Sequence, residues 1–73
     1  MTLTTLKSDV TGTVCTLEAE VGAKVATGDV LLVLESMKME IPVTAPISGK
    51  LSRLTVDIGN AVSEGQVLAV IES

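Results

Sequence analysis

Two stretches, VGAKVATGDVLLVLES (21–36) and IGNAVSEGQVLAVIES (58–73), decide how this chain folds. Displaced by 37 positions, one falls on the other without insertion or deletion. Gly22 meets Gly59, Val25 meets Val62, Gly28 meets Gly65, Val30 meets Val67, Leu31 meets Leu68 and Val33 meets Val70. Glu35-Ser36 meets Glu72-Ser73. Working outward, Gly12 falls on Gly49 and Leu17 on Leu54. Conservative pairs fill the intervals: Val10 with Ile47, Val14 with Leu51, Glu20 with Asp57, Val21 with Ile58, Leu34 with Ile71. Glycines recurring at one fixed spacing mark a duplicated supersecondary unit rather than two chance runs of aliphatic residues.

Each copy reads as strand, turn, short strand, tight turn, longer strand. The strands fall at Gly12–Leu17, near Val25 and at Val30–Glu35 in the first copy. They fall at Gly49–Leu54, near Val62 and at Val67–Glu72 in the second. Val21-Gly22, Gly28-Asp29 and Gly65-Gln66 are turns, and the glycines fit positive-φ positions there. Thr2–Leu6 alternates Thr and Leu as a further strand. Ile41, Val43 and Ala45 alternate on a strand from Glu40 to Ala45, with Pro42 on its opposite face, which places that strand at an edge or bulge. About eight closely spaced strands, with no capped 3.6-residue periodicity, predict an all-β sandwich or barrel without a helix of any length. The two copies predict a pseudo-two-fold structure in which each covers the other's apolar face. The whole of 1–73 reads as a single domain, with no linker or low-complexity segment.

Composition narrows the function. Hydrophobic residues make up 47% of the chain and aromatic residues 0%, so any core is built from Val, Leu, Ile and Ala. Such a small core yields only about 3–5 kcal/mol. Nine acidic against five basic residues, a net charge of -4, argue against non-specific nucleic-acid binding, which needs a cationic face. The longest aliphatic run, Val30 to Leu34, is too short for a membrane-spanning helix of roughly 20 residues. No basic-then-apolar leader opens the sequence, so a secretory signal is not expected. Cys15 is the single cysteine and there is no histidine. An internal disulfide, a structural zinc site and most nucleophile–histidine catalysis drop out. Cys15 reads as a small core or sheet-face residue, and a reducing, cytoplasmic setting is the expectation.

The repeat is broken once. Met37-Lys38-Met39-Glu40 follows Glu35-Ser36 in the first copy, and the second has no counterpart beyond Ser73. The short span between strands Val30–Glu35 and Glu40–Ala45 predicts a hairpin with Lys38 at its tip. A turn tip cannot bury methionines on both sides of a lysine, so at least one of Met37 and Met39 faces solvent and invites a contact. A Schiff-base role for Lys38 would need a depressed amine pKa, and the neighbouring Glu35 and Glu40 act in the opposite sense. A lysine offered to another enzyme as an attachment point fits better. The amine becomes an amide, the hairpin fixes the base of a tether, and the attached group carries the chemistry.

At these residues the chain resembles the biotinyl/lipoyl attachment domain family. Glu35-Ser36-Met37-Lys38-Met39-Glu40 looks like the biotinyl motif, and the resemblance extends through the glycine-turn pattern 21–31 and the segment Ala45-Pro46…Gly49. It implies a flattened β-barrel or sandwich of two four-stranded antiparallel sheets with quasi-two-fold symmetry. It further implies a biotin carboxyl carrier. A biotin protein ligase would attach biotin to Lys38, and the arm would move a carboxyl group from a biotin carboxylase to a carboxyltransferase. By the same resemblance Met37 and Met39 flank the cofactor, while Glu35, Ser36 and Glu40 serve recognition, though solubility alone explains the glutamates equally well. Ser36 stands where alanine is commoner, a small change of little expected effect, and no segment interrupts the first half to form a protruding thumb. Lipoate with acyl transfer is the rival cargo, although the lipoyl motif has Asp before the lysine and Ala after it. An unmodified barrel-sandwich binding module is the third reading, and a self-contained enzyme the last.

Overall fold

The computed structural model describes residues 2–73. Eight strands follow in order: β1 Leu3–Lys7, β2 Gly12–Leu17, β3 Lys24–Val25, β4 Val30–Ser36, β5 Met39–Thr44, β6 Gly49–Leu54, β7 Ala61–Val62 and β8 Val67–Glu72. They form two four-stranded sheets, β5-β4-β2-β7 and β1-β8-β6-β3, with every pair antiparallel. No helix occurs among the described residues. Pro42 lies on β5, an edge strand, where the missing N–H disturbs no ladder.

The duplication holds down to single hydrogen bonds. Gly22 N–H donates to Leu51 O at 2.8 Å, and its equivalent Gly59 N–H donates to Val14 O at 2.9 Å. Gly28 to Ala45 at 2.8 Å is repeated by Gly65 to Ser8 at 2.7 Å, and Glu18 to Leu31 at 2.8 Å by Thr55 to Leu68 at 2.9 Å. The bulges repeat too. Cys15 interrupts the β2–β4 register where Ser52 interrupts β6–β8, and Leu31 interrupts β4–β5 where Leu68 interrupts β1–β8. Cys15 is half-buried on this bulge.

The two copies do not form one sheet each. β1 and β3 pair with β8 and β6, and β5 and β7 pair with β4 and β2, so each sheet holds two strands from each copy. The core divides accordingly into two clusters, each drawn from both copies. Leu31, Leu51 and Ile71 anchor one, and their equivalents Leu68, Val14 and Leu34 anchor the other. Neither copy can bury its apolar face alone, so the aliphatic core that lacks aromatic rings is closed by interlocking. Ser8, the buried equivalent of Ala45, stays satisfied because its hydroxyl bonds to Val10 O and accepts from Val10 N–H.

The glycines fall into two groups. Gly22, Gly28, Gly59 and Gly65 have φ of 94°, 90°, 88° and 86°, the third position of a type II turn. Gly12 and Gly49 open β2 and β6, as the repeat predicts. A Cβ at Gly12 would overlap the Glu35 carbonyl oxygen, and one at Gly49 the Glu72 carbonyl oxygen. They let the ends of β4 and β8 descend onto neighbouring strands.

These contacts fix which loops share an end of the barrel. Gly12 lies against Glu35 and Ser36 at the end of β4. Lys7 pairs with Val67 at the start of β8, and only Ser8–Thr11 separates it from Gly12. The β4–β5 hairpin, the β1–β2 loop and the turn before β8 therefore crowd one end. Six residues of β8, about 20 Å at strand rise, separate them from the other end, where Thr2 and Ser73 pair through backbone bonds of 2.8 and 2.9 Å.

Candidate functional site

The β4–β5 hairpin brings all six residues of 35–40 together. Ser36 pairs with Met39, leaving Met37 and Lys38 as a two-residue loop. Their φ values are 52° and 64°, so both occupy the left-handed region and the loop is a type I′ turn. This turn matches the twist of the strands but normally takes Asn and Gly; an L-residue with a full side chain pays roughly 1–2 kcal/mol there. Strain of that kind collects where a side chain must be presented. Lys38 is exposed. Both methionines are as well, Met37 at 93% and Met39 at 63%, which settles the question of whether one of them hides.

Below the turn, Glu35 and Glu40 are direct cross-strand partners, and both are exposed. Like charges in that position oppose pairing by a few tenths of a kcal/mol. At the equivalent place at the other end Glu72 faces Leu3. Ser36 is half-buried, and its hydroxyl donates to Thr11 O at 2.9 Å. Thr11 Oγ1 accepts from Glu64 N–H at 3.2 Å. Thr11, Gly12 and Glu64 thus belong to the base of the site, and sequence reasoning missed them. The pairing of Gly12 with Gly49 at the head of two strands carries the signal, because a glycine within a strand marks a close backbone approach.

No residue of 35–40 lines either of two surface grooves. One is bordered by Glu18, Lys24, Asp29, Val33 and Pro42, the other by Lys7, Asp9, Ile41 and Pro46. What the hairpin offers is a primary amine on a projecting tip with apolar thioethers on either side, suited to being acted upon rather than to enclosing a substrate.

A duplicated, interlocked barrel of two four-stranded sheets that projects a strained hairpin defines the class of attachment domains that carry a covalent cofactor. The chain belongs to the biotin/lipoyl family: the family model described as biotin-requiring enzyme matches residues 3–71. It is a biotin/lipoyl attachment domain, a carrier part of such enzymes and not itself catalytic. Over 44 residues it is 41% identical to the Biotinylated protein TB7.3 homolog of Mycobacterium leprae (strain TN). That match covers 60% of this chain and 62% of the relative. Over 40 residues it is 52% identical to the pyruvate carboxylase of Bacillus subtilis (strain 168), covering 55% of this chain and 4% of that protein. The chain therefore spans less than two thirds of either curated relative. Among solved structures it superposes on the Kluyveromyces lactis urea carboxylase with a TM-score of 0.92 at 35% identity, over 99% of this chain and 6% of that one. A single-chain long-chain acyl-CoA carboxylase gives 0.87, also at 35%, over 93% and 7%. The lipoyl domain of the 2-oxoglutarate dehydrogenase complex from Azotobacter vinelandii gives 0.82 at 21% identity, over 94% of this chain and 95% of that one, a likeness of fold.

Proposed function

We propose that the chain is a biotin carboxyl carrier and that Lys38 is its attachment residue. The observation that carries this reading is the position of Lys38: exposed, at the tip of a type I′ turn, between two exposed methionines, in a chain of the attachment family. A biotin protein ligase joins the biotin carboxyl to Lys38 Nζ as an amide, with ATP activating the acid. The site fits that modification, because the amine stands clear of the barrel. When bound, biotin supplies a ureido nitrogen that takes up a carboxyl group.

The protein's own contribution is mechanical. The hairpin fixes where the arm starts, the flexible lysine stem lets it swing, and tethering raises the local concentration of the carried group at every site within reach. Met37 and Met39 give the ligase and the carboxylase an adaptable apolar contact on either side of the arm. Biotin carboxylase and carboxyltransferase components are the partners this reading requires. The carboxylases among the relatives and the name of the mycobacterial relative support biotin as cargo. Lipoate is the second reading, favoured by the shared fold of the lipoyl domain alone.

Intact-mass measurement after co-expression with each ligase separates the two. The expected result is a single biotinamide on Lys38 with the biotin ligase, and no adduct on a Lys38→Arg variant of unchanged thermal stability. A lipoyl adduct formed while biotin is refused would overturn the choice of cargo. Biotin on Lys38→Arg would overturn the choice of residue.

A further inference from the structure

The pseudo-two-fold provides an internal control for the lysine end. Glu64 N–H to Thr11 Oγ1, 3.2 Å, has its equivalent in Thr27 N–H to Ser48 Oγ, 3.0 Å. Gly12 beneath Glu35 has its equivalent in Gly49 beneath Glu72. The Ser36–Met39 pair that closes the hairpin has its equivalent in Ser73 and Thr2. The bond from Ser36 Oγ to Thr11 O, 2.9 Å, has none: Ser73 makes no side-chain hydrogen bond among the described residues. At the lysine end the repeat thus carries a polar strut that the equivalent position at the other end lacks.

We infer that Ser36 is a positioning residue: its hydroxyl ties the first corner of the turn to the β1–β2 loop and so fixes the direction in which Lys38 is offered to the modifying ligase. The inference rests on the reading of Lys38 as the attachment residue. The physical need is plain. A two-residue hairpin whose loop is strained at both positions tends to fray from its tip. Ser36 is the residue from which that fraying would spread, since the turn closes on its pair with Met39. Its hydroxyl grips a carbonyl on a separate element. That element is in turn held by Glu64 at the start of the turn before β8. The strut thus runs from hairpin to loop to turn and braces the tip against the barrel. A tip held in one orientation loses less freedom when a partner docks, so the gain appears in binding rather than in the chemical step.

Replacing Ser36 by Ala tests this. Loss of one such bond is worth about a fivefold change in an opening equilibrium. Amide exchange at Met39, whose N–H closes the turn, should quicken about fivefold in Ser36→Ala. The ligase KM for the chain should rise by a similar factor while kcat stays unchanged. Ser36→Thr, which keeps the hydroxyl, should return both values toward the starting protein. Unchanged Met39 exchange in Ser36→Ala would overturn the inference. So would a fall in kcat without a rise in KM, or failure of Ser36→Thr to restore either value. If the ligase does not modify the unaltered chain, the attachment reading fails by itself, and Met39 exchange still decides whether the strut holds the hairpin.

Discussion

The two ends of the barrel are built from one repeat and put to different use. At one end β4 turns back through Met37-Lys38 into β5; at the other β8 stops against β1, with Ser73 and Thr2 paired as Ser36 and Met39 are. The backbone is almost the same up to that point, including the glycine that lets each strand end sink onto its neighbour. Side chains and strain make the difference. The lysine end has two residues at positive φ, two exposed methionines, a facing carboxylate pair and the Ser36 strut. The opposite end has Glu72 facing Leu3 instead of a second glutamate. Duplication supplies the frame, and at this end the departures from symmetry gather around Lys38.

The largest effects are expected where the two ends are most alike. Gly12→Ala and Gly49→Ala each push a methyl into a strand carbonyl, and because the neighbour is backbone it cannot swing away. Each should cost about 2–3 kcal/mol, a large part of what so small a core provides, and both should lower the denaturant midpoint together. Attachment should separate them. Gly12 lies under Glu35 and Ser36, so its substitution displaces the hairpin and slows modification of the folded fraction, whereas Gly49→Ala leaves that rate alone. Equal slowing in both would dissolve the distinction between the ends.

A smaller loss is expected at the type II turns. Gly28 and Gly65 have open space around them, so a side chain meets nothing and the penalty is the backbone's alone. A β-branched residue at φ near 90° is strained by about 2 kcal/mol. Gly28→Val and Gly65→Val should therefore lose stability by the same amount to within about 0.5 kcal/mol, measured by thermal unfolding. A clear inequality would show that the two turns are not equivalent in energy as they are in geometry.

Much of this was legible in the chain because the repeat needs no alignment gaps. Paired glycines and aliphatic positions gave the strands to within a residue or so: Thr2–Leu6 became Leu3–Lys7, and Glu40–Ala45 became Met39–Thr44. The hairpin at Lys38 followed from the same pattern. What stayed hidden was long-range. The crossing of β3 and β7 between sheets depends on pairings such as Val25 with Gly49 that no local pattern encodes. Gly12 has the same letter as Gly22 but a different reason, and only the approach of Glu35 reveals it. Ser36 reads as a recognition residue in which serine for alanine matters little, and its bond stays hidden because the acceptor, Thr11 O, lies 25 residues away in sequence.

The smallest effect has the opposite sign and tests the strain directly. Lys38 holds φ of 64° with a full side chain, where the turns elsewhere use glycine. Lys38→Gly removes a left-handed penalty of roughly 1–2 kcal/mol. It also gives the unfolded chain more freedom, which takes back about 0.5–1 kcal/mol. The balance is a gain of about 0.5 kcal/mol, or a rise in Tm of roughly 2–4 °C for a domain of this size. Attachment is abolished in the same variant, so one substitution at the tip raises stability and removes the modification, whereas Gly28→Val lowers stability at a site remote from it. If Tm instead falls in Lys38→Gly, the lysine stem or its charge beside Glu35 and Glu40 is holding the hairpin together, and the tip is part of the scaffold rather than a strained position kept for what is attached there.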